Sequence, residues 1–152
     1  MAGKKKSDKA KAETSGKEVV DISSFFTTTR EKNGVWLELG IEGVGIGIEV
    51  KVLGPSAPAY IKASVRYTQN LDTLDKITDK AARRSKETDA RVDFLSSIVT
   101  DLRTKKDFAF TIKGKPLVYS KETVREIFYE SAEIRDFAWK AVTSPLTFMD
   151  LK

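Results

Sequence analysis

Three acidic side chains in the middle of the chain have the spacing of a cation site. Asp72, Asp75 and Asp79 lie three and four residues apart, which would place their carboxylates on one face of a helix. Lys76 and Lys80 are interleaved with them, and their ammonium groups would neutralise the carboxylates and repel a cation. The alternating acids and central glycine of an EF-hand calcium loop are also missing. We therefore predict a solvated helix face and no metal site.

Gly43, Gly45 and Gly47 could form a flexible phosphate-binding loop. Such a loop needs a strand before it and the amino end of a helix after it. Here residues 48–52 alternate like a strand, and no Lys-Ser or Lys-Thr pair closes the motif. The glycines therefore predict a hairpin turn, and we expect no cofactor.

The densest basic cluster outside the N-terminus comprises Arg83, Arg84 and Lys86. Neighbouring acidic residues dilute its charge, and no aromatic residue lies between Tyr67 and Phe94 to provide the stacking platform of a single-strand binder. We predict a generic charged helix surface. A nucleic-acid-binding accessory protein is kept as the third hypothesis for function.

Acid–base catalysis would rest on carboxylates alone, because the chain has no Cys and no His. Thiolate chemistry, imidazole bases and nearly all structural zinc sites are thereby excluded. Glu130, Glu133 and Asp136 lie near a predicted helix break, but paired acids need a pocket that shifts their pKa values. We predict that the protein is not an enzyme.

The 152 residues suffice for one domain with a tail, and the formal charge of +5 is unevenly distributed. Residues 1–18 hold six lysines against three acidic residues, a net +3, and contain one large apolar side chain. We predict a disordered basic tail over residues 1–18, a single α+β domain over 19–145 and an apolar C-terminal segment over 146–152. Residues 19–26 should supply a first apolar anchor for this domain.

No apolar run is long enough for a signal peptide or a membrane span, so we expect a cytoplasmic protein without a membrane partner. Residues 35–39 and 46–52 alternate apolar and polar side chains, which predicts two strands of a hairpin closed by residues 40–45. Ser56 and Pro58 then resemble a helix start, with Ser56 as the cap.

Residues 60–102 carry the longest pattern in the chain, an apolar stripe whose steps alternate four and three. Its members are Tyr60, Ser64, Tyr67, Leu71, Leu74, Thr78, Ala81, Ser85, Thr88, Val92, Leu95, Val99 and Leu102. One helix over this range would extend about 65 Å. Its centre is small or polar, so we predict two apolar parts, residues 60–74 and 92–102, joined by a solvated bridge that bends near residues 78–88.

After the stripe, residues 108–112 alternate again and residues 113–116 form a turn. Ser120 should cap a helix, a break near Ser131 should precede a second helix, and Pro145 should end that helix. The predicted fold is α+β and mostly helical: an N-terminal β-hairpin, a long central helix that can bend, a short second β element and two C-terminal helices.

In the C-terminal third, residues 113–120 read Lys-Gly-Lys-Pro-Leu-Val-Tyr-Ser and residues 133–135 read Glu-Ile-Arg. The first motif looks like the turn that opens a short helix, and the second like the start of the second helix, in the tail assembly chaperones of long-tailed bacteriophages, which this part of the chain resembles. Ala132 stands where the family pattern has proline. The Trp36 strand and the Leu-Gly-Pro-Ser step at residues 53–56 also fit, so the resemblance covers about residues 20–145.

The resemblance implies a non-enzymatic protein that binds the tape measure protein and helps to recruit tail tube subunits. The long stripe also requires a partner if a small domain cannot bury all of it, either a client helix or a second copy. Candidate partner-binding residues are Tyr60, Tyr67, Leu71, Leu74, Val92, Phe94, Leu95, Ile98, Val99 and Leu102. The alternative is that these residues form the core of the domain itself. A structural virion component, such as a tail or head-completion subunit, is the second hypothesis for function.

Overall fold

The computed structural model describes residues 16–150, so most of the predicted basic tail lies outside the described residues. This part of the chain forms five α-helices, a three-stranded sheet and a two-stranded sheet, which confirms the predicted α+β class. The helices are α1 (Thr28–Asn33), α2 (Pro58–Leu74), α3 (Lys80–Ile98), α4 (Lys121–Glu130) and α5 (Ala132–Val142). The strands are β1 (Val35–Ile41), β2 (Val44–Val52), β3 (Val99–Thr104), β4 (Thr111–Ile112) and β5 (Lys115–Pro116). Short 3-10 helices cover Ile22–Phe25 and Pro145–Phe148.

The predicted N-terminal hairpin is present as the antiparallel pair β1 and β2. Its tight turn lies at Glu42 and Gly43, both with positive φ, which is the conformation that two-residue hairpin turns require. Gly47 lies inside β2, so the glycine-rich stretch is strand and turn as predicted. Val50 and Val52 of β2 point into the core together with Leu39 of β1.

The expected single long helix is instead a helical hairpin. Helix α2 ends at Leu74, and Asp79 caps α3 by accepting hydrogen bonds from the N–H groups of Ala81 and Ala82. Arg66 of α2 contacts Asp93 of α3 at 3.1 Å, so the two helices run antiparallel. The chain reverses at residues 75–79 because folding back lets both apolar ends of the stripe share one core. The predicted cap is wrong as well: Ala57 precedes α2 as its N-cap, and Ser56 Oγ donates to Glu31 instead.

The last residues of the stripe form a strand, which is a second correction. Val99 and Leu102 belong to β3, which pairs with β2 in the sheet order β1-β2-β3. Leu102 pairs with Val50 and Val99 pairs with Val52, with an irregularity of register between them. A bulge inserts an extra residue into one strand, so two side chains three positions apart can face the same side of the sheet. Because of this bulge, Val99 and Leu102 lie three positions apart in a strand, which is a spacing typical of one helix face.

The C-terminal elements follow the predicted order, but β4 covers only Thr111–Ile112 of the alternating residues 108–112, and α5 ends at Val142, before Pro145. Strands β4 and β5 form the second hairpin, turning through Lys113 and Gly114 at positive φ. Ser120 caps α4 by accepting from Thr123 N at 3.0 Å, and Ser131 caps α5 by accepting from Ile134 N at 3.2 Å. The break between these helices therefore needs no proline.

One core joins the sheet to the helices, with α3, α4 and α5 contributing most of its helical side chains. Its largest fully buried side chains are Phe128, Phe148, Leu39, Leu95 and Ile98. Phe148 belongs to the stretch predicted as an apolar C-terminal segment, and it packs inside the domain. Two hydrogen bonds hold the chain ends together: Arg30 Nε donates to Phe148 O at 2.8 Å, and Asp150 N donates to Ser24 O at 3.0 Å.

Candidate protein-binding surface

The predicted partner-binding residues lie mostly in the interior of the domain. Seven of the ten are buried: Leu74, Val92, Phe94, Leu95, Ile98, Val99 and Leu102. The other three, Tyr60, Tyr67 and Leu71, are partly buried. A partner could not reach the seven buried side chains without opening the core. These seven residues therefore form part of the domain's own core, which was the alternative interpretation. Surfaces open to a partner lie elsewhere on the domain.

The two tyrosines of this set belong to an aromatic cluster between the helices. The ring centroids of Tyr60 and Tyr67 lie 5.1 Å and 5.8 Å from that of Phe94, and Tyr67 lies 5.0 Å from Trp139 of α5. Such edge-on and tilted pairs contribute about 0.5–1.5 kcal/mol each beyond area burial. Burial raises the pKa of the Tyr60 hydroxyl, and the charge of Glu31 raises it further. These rings therefore join α2 to α3 and α5.

Within residues 16–150, large exposed apolar side chains are concentrated in residues 19–26, here called the N-terminal apolar segment. Its side chains are strongly exposed: Val19 73%, Val20 61%, Ile22 67%, Phe25 47% and Phe26 66%. The prediction that these residues anchor the domain is therefore wrong, because no element within residues 16–150 covers their side chains. Composition alone could not reveal this, since the same residue types also fill the core.

The backbone of this segment is ordered despite its exposed side chains. Asp21 caps the 3-10 helix, with Ser23 N and Ser23 Oγ donating to Asp21 Oδ1 at 3.0 Å and 2.8 Å. The backbone bond, followed by the hydroxyl bond, lowers the pKa of the Asp21 carboxyl. The bond from Asp150 to Ser24 ties the segment to the domain. These bonds hold the backbone of residues 21–24, while the apolar side chains of the segment stay exposed.

A second apolar feature is a groove of about 270 Å³ between the second hairpin and the junction of α4 with α5. Its apolar walls are Ile48, Ile112, Leu117, Ile127 and Ile134. Glu126 and Glu130 form one edge, and Lys113 pairs with Glu126 at 2.5 Å, an interaction that raises the pKa of Lys113. We call this feature the acidic groove.

The solvent face of the large sheet carries charges that pair with one another. Arg103 lies over the Trp36 ring at 4.0 Å and contacts Glu49 at 3.1 Å. Lys105 contacts Glu38 at 3.0 Å, and Gly47 N also donates to that carboxylate. These two hydrogen bonds, the one from Lys105 first, lower the pKa of Glu38. The charged side chains of this face are therefore engaged in contacts with one another and with Trp36.

The residues considered for chemistry are dispersed. Asp79 caps α3 and Asp75 contacts Arg83 at 3.4 Å, so these acids of the supposed cation site have structural partners. Asp136 lies 3.8 Å from Arg91. Among residues 16–150 the buried carboxylate belongs to Glu31, which accepts a hydrogen bond from Ser56. Within residues 16–150, no group of three acidic side chains could hold a metal ion. The absence of enzymatic activity stays a prediction.

The basic cluster of Arg83, Arg84 and Lys86 lies exposed on α3, with Arg83 paired to Asp75. In the described part of the chain, no helix has the length and apolar character that a membrane span needs. The sequence matches no protein-family model and no curated protein, and the structure matches no solved structure. Function must therefore be argued from the two apolar surfaces.

Proposed function

We propose that this protein is a non-enzymatic tail assembly chaperone of a long-tailed bacteriophage, acting in the host cytoplasm. In this role it binds the tape measure protein and helps to recruit tail tube subunits. The resemblance of residues 113–120 and 133–135 to that family suggests the role. The single structural observation that supports a protein-binding role is the exposed N-terminal apolar segment.

Contiguous exposed apolar side chains usually mark interaction sites in soluble proteins. Five large apolar side chains within residues 19–26 remain roughly half to three-quarters exposed. Covering one of them would contribute on the order of 1 kcal/mol, since complete burial of such a side chain yields about 1.5–3 kcal/mol. The hydrogen bonds at Asp21 and Ser24 already order the backbone, which reduces the entropy lost on binding. An amphipathic helix of the client would supply a complementary apolar face.

Co-expression with a fragment of the tape measure protein tests the proposal. The wild-type chain should co-purify with the fragment and raise its soluble yield. The triple variant Val19→Ser, Ile22→Ser, Phe26→Ser should lose both effects, because it removes three of the exposed side chains without touching the core.

The matched control is the triple variant Val44→Ser, Ile61→Ser, Val65→Ser, whose parent side chains are also exposed but lie on β2 and α2. It should behave like the wild type. Equal loss in both variants, or no co-purification of the wild-type chain, would contradict the proposal.

The exposed segment would also suit a permanent contact between subunits of a virion, which is the second candidate function. Mass spectrometry of purified particles separates the two roles. A chaperone should be absent from mature particles, whereas a structural component should be present in a fixed ratio to the tail tube protein.

A further inference from the structure

We propose that the acidic groove binds the N-terminal apolar segment of a second copy of this chain, so that copies associate head to tail. The interaction concerns two surfaces of the protein itself and does not rest on the proposed function, although a segment held in a neighbour's groove is not free to bind a client. Nothing within residues 16–150 covers either surface: the segment is exposed, and the groove is open between the second hairpin and α4.

The groove has the size and lining for side chains of an extended segment. Its volume of about 270 Å³ lies just below the clefts of roughly 300–1,000 Å³ that enclose whole small-molecule ligands. Isoleucine and leucine side chains line it, so it favours aliphatic groups such as those of Val19, Val20 and Ile22. These residues precede or open the 3-10 helix, and the Asp21 backbone between them is extended.

Charge favours contact between the groove and the basic residues that precede the segment. Glu126 and Glu130 are one helical turn apart on α4, and Lys113 lies beside them: it pairs with Glu126, and the charge of Glu130 also raises its pKa. Like charges at this spacing repel each other, so a further cation would be favourable there. Glu18 directly precedes the apolar segment and Asp21 lies within it, whereas residues 1–18 as a whole carry a net charge of +3. Attraction to the acidic edge would therefore come from the lysines that precede Glu18 and not from the segment itself.

The positions of the two surfaces favour a second copy over the chain's own groove. Ser131 and Ile134, at the amino end of α5, line the groove. The segment is held through Ser24 to Asp150, and the neighbouring Thr27 shares a small cavity with Val142, at the carboxyl end of α5. The eleven residues of α5 span roughly 16 Å. While the Ser24 bond stands, a neighbouring molecule is the better placed donor of the segment.

In a dimer formed in this way, one copy keeps a free N-terminal apolar segment and the other keeps a free acidic groove. Such heterologous contacts continue into rings or open filaments, depending on the rotation between copies. The assembly should therefore grow with concentration beyond a dimer. Salt should weaken it, because exposed charges contribute at the edge of the groove.

Sedimentation equilibrium of the full-length chain over a wide concentration range tests the inference. The wild type should show mass-action growth in mass. The segment variant Val19→Ser, Ile22→Ser should weaken association by at least about thirtyfold, as expected when central apolar contacts are lost. The groove variant Glu130→Lys should weaken it by about three- to tenfold, and it alters an exposed side chain that the fold does not need.

The decisive sample mixes the segment variant with a groove variant, Ile127→Ser combined with Glu130→Lys. Each variant retains one intact surface, so the mixture should form a 1:1 dimer that cannot grow further, while each variant alone stays monomeric. Far-UV circular dichroism and thermal unfolding identify a groove variant that has lost its fold. In that case Glu130→Lys alone serves in the mixture, and the mixed dimer should form about three- to tenfold more tightly than Glu130→Lys associates with itself. The exposed control Val44→Ser should associate like the wild type.

Three outcomes would overturn the inference. One is a wild-type chain that stays monomeric at every concentration, as it would if it filled its own groove. Another is a result in which the segment variant abolishes association but the groove variants do not change it, because the contact would then lie between two segments. The third is a mixture of the two variants that yields no dimer.

Discussion

Ile61 and Ile98 carry the same side chain, but the fold gives them opposite surroundings. Ile98 is fully buried at the end of α3, whereas Ile61 is 53% exposed on α2. At the residue scale, the contribution of a side chain to stability follows from the contacts around it rather than from its type. The same distinction separates buried Phe148 from exposed Phe26.

Replacing Ile98 by alanine should lower the free energy of unfolding by about 2–5 kcal/mol, because the change leaves a cavity in the core. Urea denaturation measures the loss. The matched change Ile61→Ala should stay within about 0.5 kcal/mol of the wild type. If the two variants were equally stable, the assignment of Ile98 to the core rather than to a partner surface would be contradicted.

Glu38 should make the stability depend on pH in the acidic range. Its pKa is lowered in the folded state, so its stabilisation is complete above the ordinary pKa of 4.5 and is lost as the pH falls through the lower folded-state value. The free energy of unfolding, measured by urea titration between neutral and acidic pH, should fall less steeply for Glu38→Gln than for the wild type. Lys105→Gln, which removes the main partner, should flatten the curve in the same way. Parallel curves for all three proteins would argue against this role.

At the element scale, polar caps and turn residues decide where helices and hairpins end. Ser120, Ser131 and Asp79 each accept a hydrogen bond from the first turn of a helix, and positive φ at Glu42, Gly43, Lys113 and Gly114 marks the two hairpin turns. A residue such as Ser131 can therefore end one helix and start the next without proline. The bulge between β2 and β3 depends instead on residues distant in the chain. Pairing with β2 leaves an extra residue in β3, so the apolar residues of β3 are spaced as they would be in a helix.

Ala132→Pro should be tolerated, since Ala132 is the first residue of α5 and Ser131 before it is extended. The unfolding free energy should remain within about 1 kcal/mol of the wild type. Asp136→Pro, in the middle of the same helix, should lose about 3 kcal/mol because it breaks a helical hydrogen bond. Urea denaturation and far-UV circular dichroism distinguish the two. A large loss in Ala132→Pro would show that the start of α5 is misassigned.

At the scale of the whole molecule, the two ends of the described chain close the domain together. Phe148 fills the core, while Arg30 and Ser24 hold the backbone around it by hydrogen bonds to Phe148 O and from Asp150 N. The residues after Pro145 therefore contribute to the stability of the domain. They also fix the position of the N-terminal apolar segment.

Phe148→Ala should destabilise the protein by about 3–5 kcal/mol, because a fully buried aromatic ring is removed. Leu146→Ala, in the same 3-10 helix but 62% exposed, should change the unfolding free energy by less than about 0.5 kcal/mol. Thermal and urea unfolding of both variants provide the comparison. A Phe148→Ala protein as stable as the wild type would contradict the place of Phe148 in the core.

The sequence by itself determined the local features of this protein. Alternation in residues 35–39 and 46–52 specified the first hairpin, and Ser120 and Ser131 specified the starts of α4 and α5, because strand faces and helix caps depend on neighbours along the chain. The missing cysteine and histidine likewise restricted the chemistry before any fold was known.

Only the tertiary structure decided which apolar residues are covered. Residues 60–102 fold back on themselves and end in a strand, so seven of the ten predicted partner-binding residues in this range are buried. Residues 19–26 remain exposed. Exposure depends on which distant elements meet, and the hydrophobic effect acts on any apolar surface without regard to its place in the chain. For this reason the candidate binding surface was visible in the packing and not in the pattern.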